Sequence, residues 1–589
     1  MKWWNLRTRG FAVVVLFAMG FSVVSARLIY LQLIRHEYYR EEAIKMHYVG
    51  VPISPKRGAI RDREGHVLAQ TVSVTDLRID GQLAWQDPML FDRLAVILGV
   101  ETTKLKNIVR PEKRYQLLAE NIEEDIASKL RSLKARALIF KERMQRVYPN
   151  GEEGSHVLGF VNSTRLCFGQ EDQTVEFEVG MDGVEKALDR YLRGVPGERR
   201  VVRDASRREI AAYRQSDRPA RNGMDVILTV DQVIQHIVET EADRLMQNFQ
   251  PDAAHIIVMK PSTGEILGMA NRPTFDPNNR ESIEIRNLKN AAIMNIYEPG
   301  STFKVVTLAA ALNEGVVDLD TPIYCENGKF FYAGKWLNDT HAHGMLTLRE
   351  VVAKSSNIGF AKLGLLLGQD KVYQYVRRFG FGEAAQRSLR VLPGEEAGVL
   401  HPLKKWSSLS ITRVPVGYEI AVTNLQMATA YAAIANGGKL MEPLLVRAVV
   451  NDKGRPVSQY LPKIVRQVVR PEIAAQMRHA LEKVVSDEGT ATLASVHGFT
   501  VAGKTGTAQK LVNGAYDHEN YVSSFIGFLP AEKPEFLVSI VVDRPRGRKY
   551  YGGSVAGPSF SNIATQVAQQ LNMITSDAVV AIARKGDEL

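Results

Sequence analysis

The longest apolar pattern stands at the start of the chain, where Phe11 to Ala26 carries no charge and Leu28-Ile29-Tyr30-Leu31-Gln32-Leu33-Ile34 continues it after Arg27. It predicts a helix over residues 11–34 of about 24 residues and roughly 36 Å, enough to cross a bilayer. No later stretch is long and apolar enough to do so. Between Ile122 and Arg146, apolar residues recur at helical spacing among Glu, Lys and Arg, which predicts charged amphipathic helix, with short β-like stretches elsewhere in the residues up to about Arg214. The alanine-rich run Thr302 to Leu312 reads as a buried helix opened by the break Glu298-Pro299-Gly300. Ile358 to Leu365 reads as a second one, and Phe499 to Gly503 leads into a strand.

Charge then sets the topology. Lys2, Arg7 and Arg9 place residues 1–10 as a tail on the cytoplasmic side, Trp3 and Trp4 suit the interface, and everything after the helix falls on the outer face. Val24-Ser25-Ala26 also has the small-residue form of a signal-peptide cleavage site. Two readings therefore stand: a retained anchor, favoured by the apolar pattern running past Ala26, and a cleaved leader.

A chain of 589 residues is too long for one typical domain, and its composition is ordinary throughout, without low-complexity tracts or short repeats. The net charge of +10 comes from dispersed basic residues. It suits an anionic polymer or membrane surface, and no nucleic-acid motif accompanies it. Cys167 and Cys325 lie in different parts of the chain and are expected as two separate buried thiols. His341-Ala342-His343, in the run that begins at Asp339, lacks further ligands at zinc spacing and reads as a loop near a cleft.

Three strings carry chemistry: Ser301-Thr302-Phe303-Lys304, Ser355-Ser356-Asn357 and Lys504-Thr505-Gly506-Thr507. In a helix, positions three apart share a face, so Lys304 is expected beside the Ser301 hydroxyl, where a desolvated neutral amine can take its proton. The helix start adds N–H groups and a positive dipole end where an oxyanion would develop. The Lys504 string predicts a strand forming one wall of a cleft, with Gly506 allowing close approach of a ligand. Taken singly, each string has a bland alternative: an N-cap serine with a solvated lysine, a helix cap, a turn. A lone Ser-x-x-Lys is expected roughly twice by chance in a chain this long. Their joint occurrence in this order is the known signature of penicillin-binding proteins and class A β-lactamases.

The chain resembles the class B penicillin-binding proteins, the monofunctional D,D-transpeptidases of bacterial peptidoglycan synthesis. Arg57-Gly58-Ala59-Ile60-Arg61-Asp62-Arg63-Glu64-Gly65 is similar to the family's signature at the start of the extracytoplasmic region. Tyr148-Pro149, His156-Val157-Leu158-Gly159-Phe160 and Gly180-Met181-Asp182-Gly183-Val184-Glu185 are similar to its other pedestal motifs. Leu228-Thr229-Val230-Asp231 and Lys260-Pro261-Ser262-Thr263-Gly264-Glu265 match the usual opening of the catalytic domain. The Ser-Ser-Asn form and the Glu298-Pro299-Gly300 approach resemble the division-specific FtsI branch more than the elongation branch.

That resemblance implies an α+β protein: an anchor at residues 11–34, an elongated pedestal (dimerisation) domain at 35–215, a polar linker around Gln215 to Pro219, a transpeptidase domain at 222–570 with antiparallel sheet flanked by helices, and a tail at 571–589. It implies Ser301 as nucleophile, Lys304 as base, and Ser355 as proton relay poised between Lys304 and Lys504. Asn357 would hydrogen-bond the substrate backbone. Thr505, Gly506 and Thr507 would line the substrate strand, with both threonines on the terminal carboxylate, and Lys504 would supply charge from the opposite wall, tolerating arginine better than Lys304 does. The N–H groups of Ser301 and Thr507 would bind the oxyanion. No metal or organic cofactor enters. The implied ligands are stem peptides ending in D-Ala-D-Ala, with β-lactams as covalent inhibitors. The implied partners are a SEDS-family glycan polymerase of the FtsW type and other division proteins at the bacterial cytoplasmic membrane, with the catalytic domain on its periplasmic side. The competing readings are a D,D-carboxypeptidase, a β-lactamase, an elongation-specific transpeptidase, and a non-enzymatic division scaffold or β-lactam sensor.

Overall fold

The structure, a computed structural model, describes residues 6–168, 173–202, 216–385, 392–512 and 515–575. It divides into two compact units.

The first unit comprises Met1–Pro55, Thr164–Phe177 and Val195–Arg221. Its helix Leu6–Ile29 runs into the π-helical turn Tyr30–Ile34. Thr8–Ile34 is, among the described residues, the one helix long and apolar enough to cross a membrane. It starts slightly before the expected residue 11 because the uncharged pattern tolerates Arg9 at its edge. Its large apolar side chains project outward, Phe11 and Phe21 being 71% and 76% exposed, as a helix solvated by lipid requires. Mass analysis of the mature protein is expected to find Phe11 to Ile34 still attached; an N-terminus at Arg27 would identify the segment as a cleaved leader. The helix His36–His47 follows, and strand Tyr48–Ile53 pairs antiparallel with Gly197–Val202, which pairs with Ser216–Arg218. The backbone of Cys167 lies in strand Val161–Phe168, but its side chain is outside the described residues, as are Gln215 and most of the C-terminal tail.

The second unit comprises Lys56–Ser163, Glu178–Gly194 and Asn222–Leu589. Much of the expected pedestal thus packs together with the catalytic region, and the reason is a shared mixed sheet. In it Asp225–Leu228 pairs in parallel with Ile60–Arg61 and antiparallel with Val446–Val450. The segment 122–146 departs from the helical expectation: only Glu124–Ser132 is helical, while Leu138–Val147 is a strand matched residue for residue with positions 70–79 of strand Val67–Ile79. Long-range pairing overrides the local pattern there. Arg57 and Glu185, from two of the quoted pedestal motifs, meet in one buried ion cluster with Arg146 and Asp189. Glu185 receives Arg57 Nε and Arg146 Nε, each at 2.7 Å, and Arg57 Nη1 also reaches Asp189 at 2.7 Å. Both arginines and Glu185 are almost fully buried, so losing one member would leave an uncompensated charge costing about 3–5 kcal/mol.

A five-stranded antiparallel sheet supports the catalytic strings, in the order Ile266–Arg272, Ala253–Met259, Phe536–Asp543, Ala515–Leu529, Ala502–Val512. Ala253–Met259 and Ile266–Arg272 are buried at every position, so helices must cover both faces. Gln232–Phe249 and Gly557–Gln570 pack on the sheet and on each other, while Asn424–Ala435, buried throughout, packs against Phe536–Asp543. The architecture is the α+β arrangement of antiparallel sheet and flanking helices that the resemblance implied.

Candidate active site

Gly300–Phe303 forms a 3₁₀ turn, and the α-helix proper runs Lys304–Asn313, buried at all but its last residue. Gly300 has φ +53° and donates its N–H to Gly417 O at 3.0 Å. A side chain at Gly417 would lie 2.1 Å from Gly300 O, so glycines on both segments let the nucleophile turn seat against the loop that carries Gly417. Thr302 Oγ1 donates to Pro299 O at 2.9 Å, and Tyr431 OH donates to Thr302 O at 2.8 Å. The turn is therefore held from both sides, with Ser301 half-buried.

Lys304 is 1% exposed. Its Nζ donates to Ser355 O at 2.6 Å, to Ser355 Oγ at 3.2 Å and to Asn357 Oδ1 at 2.8 Å, and sits 5.4 Å from the centre of the Phe360 ring. The first two catalytic strings are thus joined through one amine. Burial holds the Lys304 ammonium well below the usual lysine range, the nearby Lys504 lowers it further, and Asp339 pulls in the opposite direction. The helix Leu348–Lys354 ends at Ser355, which adopts the left-handed conformation (φ +59°). That turn puts both its carbonyl and its hydroxyl on Lys304. Ser356 caps the next helix, Asn357–Leu367, by accepting from Gly359 N at 3.0 Å.

Strand Ala502–Val512 is the last of its sheet, leaving one backbone edge free of strand partners among the described residues. Here the structure alters two expectations. A Cβ on Gly506 would lie 2.3 Å from Ser524 Oγ, 3.0 Å from Thr302 Cγ2 and 3.1 Å from Pro299 O. The glycine thus makes room for the nucleophile turn and the neighbouring strand, not for a ligand. By strand alternation Lys504 projects from the same face as Gly506, toward the nucleophile turn, while Thr505 and Thr507 share the other face. Lys504 Nζ is buried and, among the described residues, has no hydrogen-bond partner, so it does not meet Ser355. Burial pushes its pKa down to about 7. Thr505 Oγ1 shares a 2.9 Å hydrogen bond with Thr490 Oγ1, and Thr507 Oγ1 accepts from Gly552 N at 2.9 Å.

Two features of the site were not singled out by sequence. Asp339 accepts from Ser356 Oγ and Asn357 N, each at 2.5 Å, and from Ile358 N at 3.0 Å. A cavity of about 840 Å³ lies beside the strings, its lining including Glu298, three residues before Ser301, and Gln509, two after Thr507. Glu298 Oε1 accepts from Glu419 N at 2.8 Å and from Tyr516 OH at 3.3 Å, while Glu298 Oε2, Tyr297 OH and His255 Nδ1 are buried without hydrogen-bond partners among the described residues. Cys325 is a buried free thiol 3.3 Å from Ser356 Oγ. The His341 and His343 rings are 6.5 Å apart, and among the described residues no group of three His, Cys, Asp or Glu side chains could hold a metal.

Residues 254–565 match the penicillin binding protein transpeptidase domain, and residues 52–228 match the penicillin-binding protein dimerisation domain. The chain belongs to this family. It is a class B penicillin-binding protein, an enzyme of the serine transpeptidase class. Among its relatives, stage V sporulation protein D of Bacillus subtilis is 34% identical over 97% of this chain and 86% of its own length. The peptidoglycan D,D-transpeptidase FtsI of Escherichia coli is 31% identical over 95% of this chain and 91% of its own. Among solved structures, penicillin binding protein 3 of Mycobacterium tuberculosis, complexed with ampicillin, superposes with a TM-score of 0.67 at 26% identity, covering 89% of this chain and 97% of that one. Penicillin binding protein 2X of Streptococcus thermophilus has the same fold, with a TM-score of 0.75 over 88% of this chain and 80% of that one.

Proposed function

We propose that this class B penicillin-binding protein crosslinks peptidoglycan stem peptides as a D,D-transpeptidase of the division septum, through an acyl-enzyme on Ser301. The observation that carries the reading is the buried Lys304 amine, one turn after Ser301, bound to both Ser355 and Asn357. Burial favours the neutral form of this amine, and a neutral amine is the base a serine alcohol requires.

In this mechanism the donor peptide docks along the free edge of Ala502–Val512. Its terminal carboxylate lies at Thr505 and Thr507, and the peptide on the acyl side extends toward Gln509 and the cavity at Glu298. Ser301 Oγ attacks the penultimate D-alanine carbonyl as its proton passes to Lys304. The N–H groups of Ser301 and Thr507 receive the oxyanion. Collapse breaks the C–N bond, Ser355 passes the proton on to the leaving amine, and terminal D-alanine departs. The amine of a second stem peptide then attacks the ester and frees Ser301.

The basic residues before the apolar helix support a catalytic domain on the periplasmic side of the cytoplasmic membrane. Residues 35–215 then form the pedestal, 222–570 the catalytic domain and 571–589 a tail. Similarity to FtsI supports the septal assignment and a SEDS-family, FtsW-like polymerase with other division proteins as partners. The test supplies the full-length protein, with such a polymerase, with lipid-linked substrate ending in D-Ala-D-Ala. Crosslinked dimer is the expected product. Predominant trimming to monomer would make the protein a D,D-carboxypeptidase instead.

A further inference from the structure

We propose that Arg27, Tyr30 and Arg35 form a clamp for an anionic, phosphate-bearing lipid headgroup, at the end of the anchor helix away from the basic tail. The clamp requires Thr8–Ile34 to stay attached as a membrane span.

Depth comes first. Thr8–Ile34 holds 27 residues and so runs about 40 Å, longer than a hydrocarbon core of about 30 Å. Its two charged residues are Arg9 and Arg27. The 18 positions from 9 to 27 rise roughly 27 Å. With Arg9 among the headgroups of one leaflet, Arg27 reaches the edge of the hydrocarbon at the other, and Tyr30 and Arg35 lie in the headgroup layer beyond it. A cation at that depth is unfavourable unless it is paired, and basic residues ordinarily mark the opposite, cytoplasmic side. Among the described residues no carboxylate pairs with Arg27 or Arg35, whereas Arg40, in the helix His36–His47, is paired with Glu37 at 3.3 Å.

Geometry then brings both arginines to one ring. Arg27 precedes Tyr30 by three positions, a same-face spacing in an α-helix, and its guanidinium carbon lies 5.4 Å from the ring centre. Arg35 follows Tyr30 by five positions, a spacing that in an α-helix points well away. The π-helical turn Tyr30–Ile34 changes that: Arg35 N donates to Tyr30 O at 2.9 Å, which closes an i to i+5 ring and carries residue 35 over residue 30. Arg35 Nε then donates to Tyr30 OH at 3.0 Å, with its guanidinium carbon 5.9 Å from the same ring. The wide turn thereby gathers two guanidinium groups around one phenol.

The open donors define the ligand. Tyr30 OH, which accepts from Arg35, keeps its own proton to donate, and the terminal nitrogens of both arginines have no acceptor among the described residues. At headgroup depth the abundant anion is a phosphate ester, and the planar fork of arginine donates pairwise to its oxygens. Two guanidinium groups favour a headgroup with net negative charge, a phosphodiester or a diphosphate, over a zwitterionic one. Tyr38, 5.3 Å from the Arg35 guanidinium, and Tyr39 add the amphipathic rings that settle at this depth.

The experiment places the full-length protein in nanodiscs of phosphatidylcholine doped with phosphatidylglycerol, with a polyprenyl diphosphate, or with oleate, an anionic lipid without phosphate. Native mass spectrometry of the released protein measures the lipid concentration for half-occupancy. Wild type is expected to retain phosphate lipid and not oleate, and the first two arms decide between phosphodiester and diphosphate as the preferred source. Arg27→Gln and Arg35→Gln are each expected to weaken retention about fivefold, and together about 25-fold, the worth of one basic residue near a membrane surface taken once and twice. Arg27→Lys and Arg35→Lys keep the charge without the fork and are expected to lose part of the retention. Arg40→Gln, outside the clamp, is expected to change nothing.

Equal retention of oleate, or lysine variants that match wild type, would reduce the cluster to surface charge and overturn the proposal. Unchanged retention in the double glutamine variant would overturn it too, leaving the arginines to a carboxylate of a partner chain. Should that double variant fail to insert, as judged by membrane extraction, the lysine variants decide alone. A mature protein beginning at Arg27 would instead overturn the anchor reading beneath the clamp.

Discussion

Fluorescent penicillin should label this protein at Ser301, and the Ser301→Ala variant should carry no label. The strained lactam presents an amide and a carboxylate to the groups that read D-Ala-D-Ala, and its opening leaves an ester on Ser301 Oγ with no departing amine to be replaced. Loss of the nucleophile is the largest single effect available to a serine acyl-transfer site, on the order of 10⁶-fold in a comparable hydrolase. Peptide mapping of the wild-type adduct fixes the position. Labelling that survives in the alanine variant, with an unchanged thermal melt, would remove Ser301 from the mechanism. Thr302 is no substitute, since its hydroxyl is buried and committed to Pro299 O.

The parts of the site written in contiguous chemistry were legible without a structure. Ser301 and Lys304 lie one turn apart because the apolar run after them can only be a buried helix, and that helix is where the run placed it. The apolar stretch before Lys504 likewise marked a strand, which the structure places at the edge of its sheet with both threonines on one face. What escaped is what depends on tertiary pairing. Asp339 stood in view as the head of a histidine-containing loop. Nothing local says that its carboxylate will cap a helix beginning eighteen residues later, because that contact exists only once the hairpin of Lys329–Tyr332 and Lys335–Asn338 folds back. The orientation of Gly506 was misjudged for a related reason: strand periodicity gives alternation, but which face meets the nucleophile turn is decided by how the sheet packs on the helical lobe. The strand Leu138–Val147 was hidden among charged residues whose spacing also fits a helix, and only its long partner Val67–Ile79 settles the choice. The cavity at Glu298 joins residues from five separate stretches of sequence, beyond the reach of any spacing rule.

The two lysines should separate by pH. Sequence treats Lys504 as a charge on the opposite wall, where arginine would be tolerated. The structure puts its side chain in the interior, 1% exposed and with no hydrogen-bond partner for the amine among the described residues, where the larger guanidinium would overpack. Lys504→Arg should therefore lose most acylation, and the informative replacement is the uncharged Lys504→Met. Lys504 lowers the Lys304 pKa by repulsion. Removing that charge raises the Lys304 pKa and thins the neutral base at pH 7. Acylation by Lys504→Met should then fall at neutral pH and recover as pH rises, its acid limb displaced upward. Lys304→Met has no base to restore and should stay down by 10²–10⁴-fold, on the order of a general-base contribution, at every pH. Lys304→Arg should behave the same way, since a guanidinium stays protonated and cannot accept the serine proton. Acylation rates from pH 6 to pH 10, each variant checked by thermal melt, test the ordering. A Lys304→Met protein that recovers in alkali, or a Lys504→Met protein that does not, would exchange the two roles.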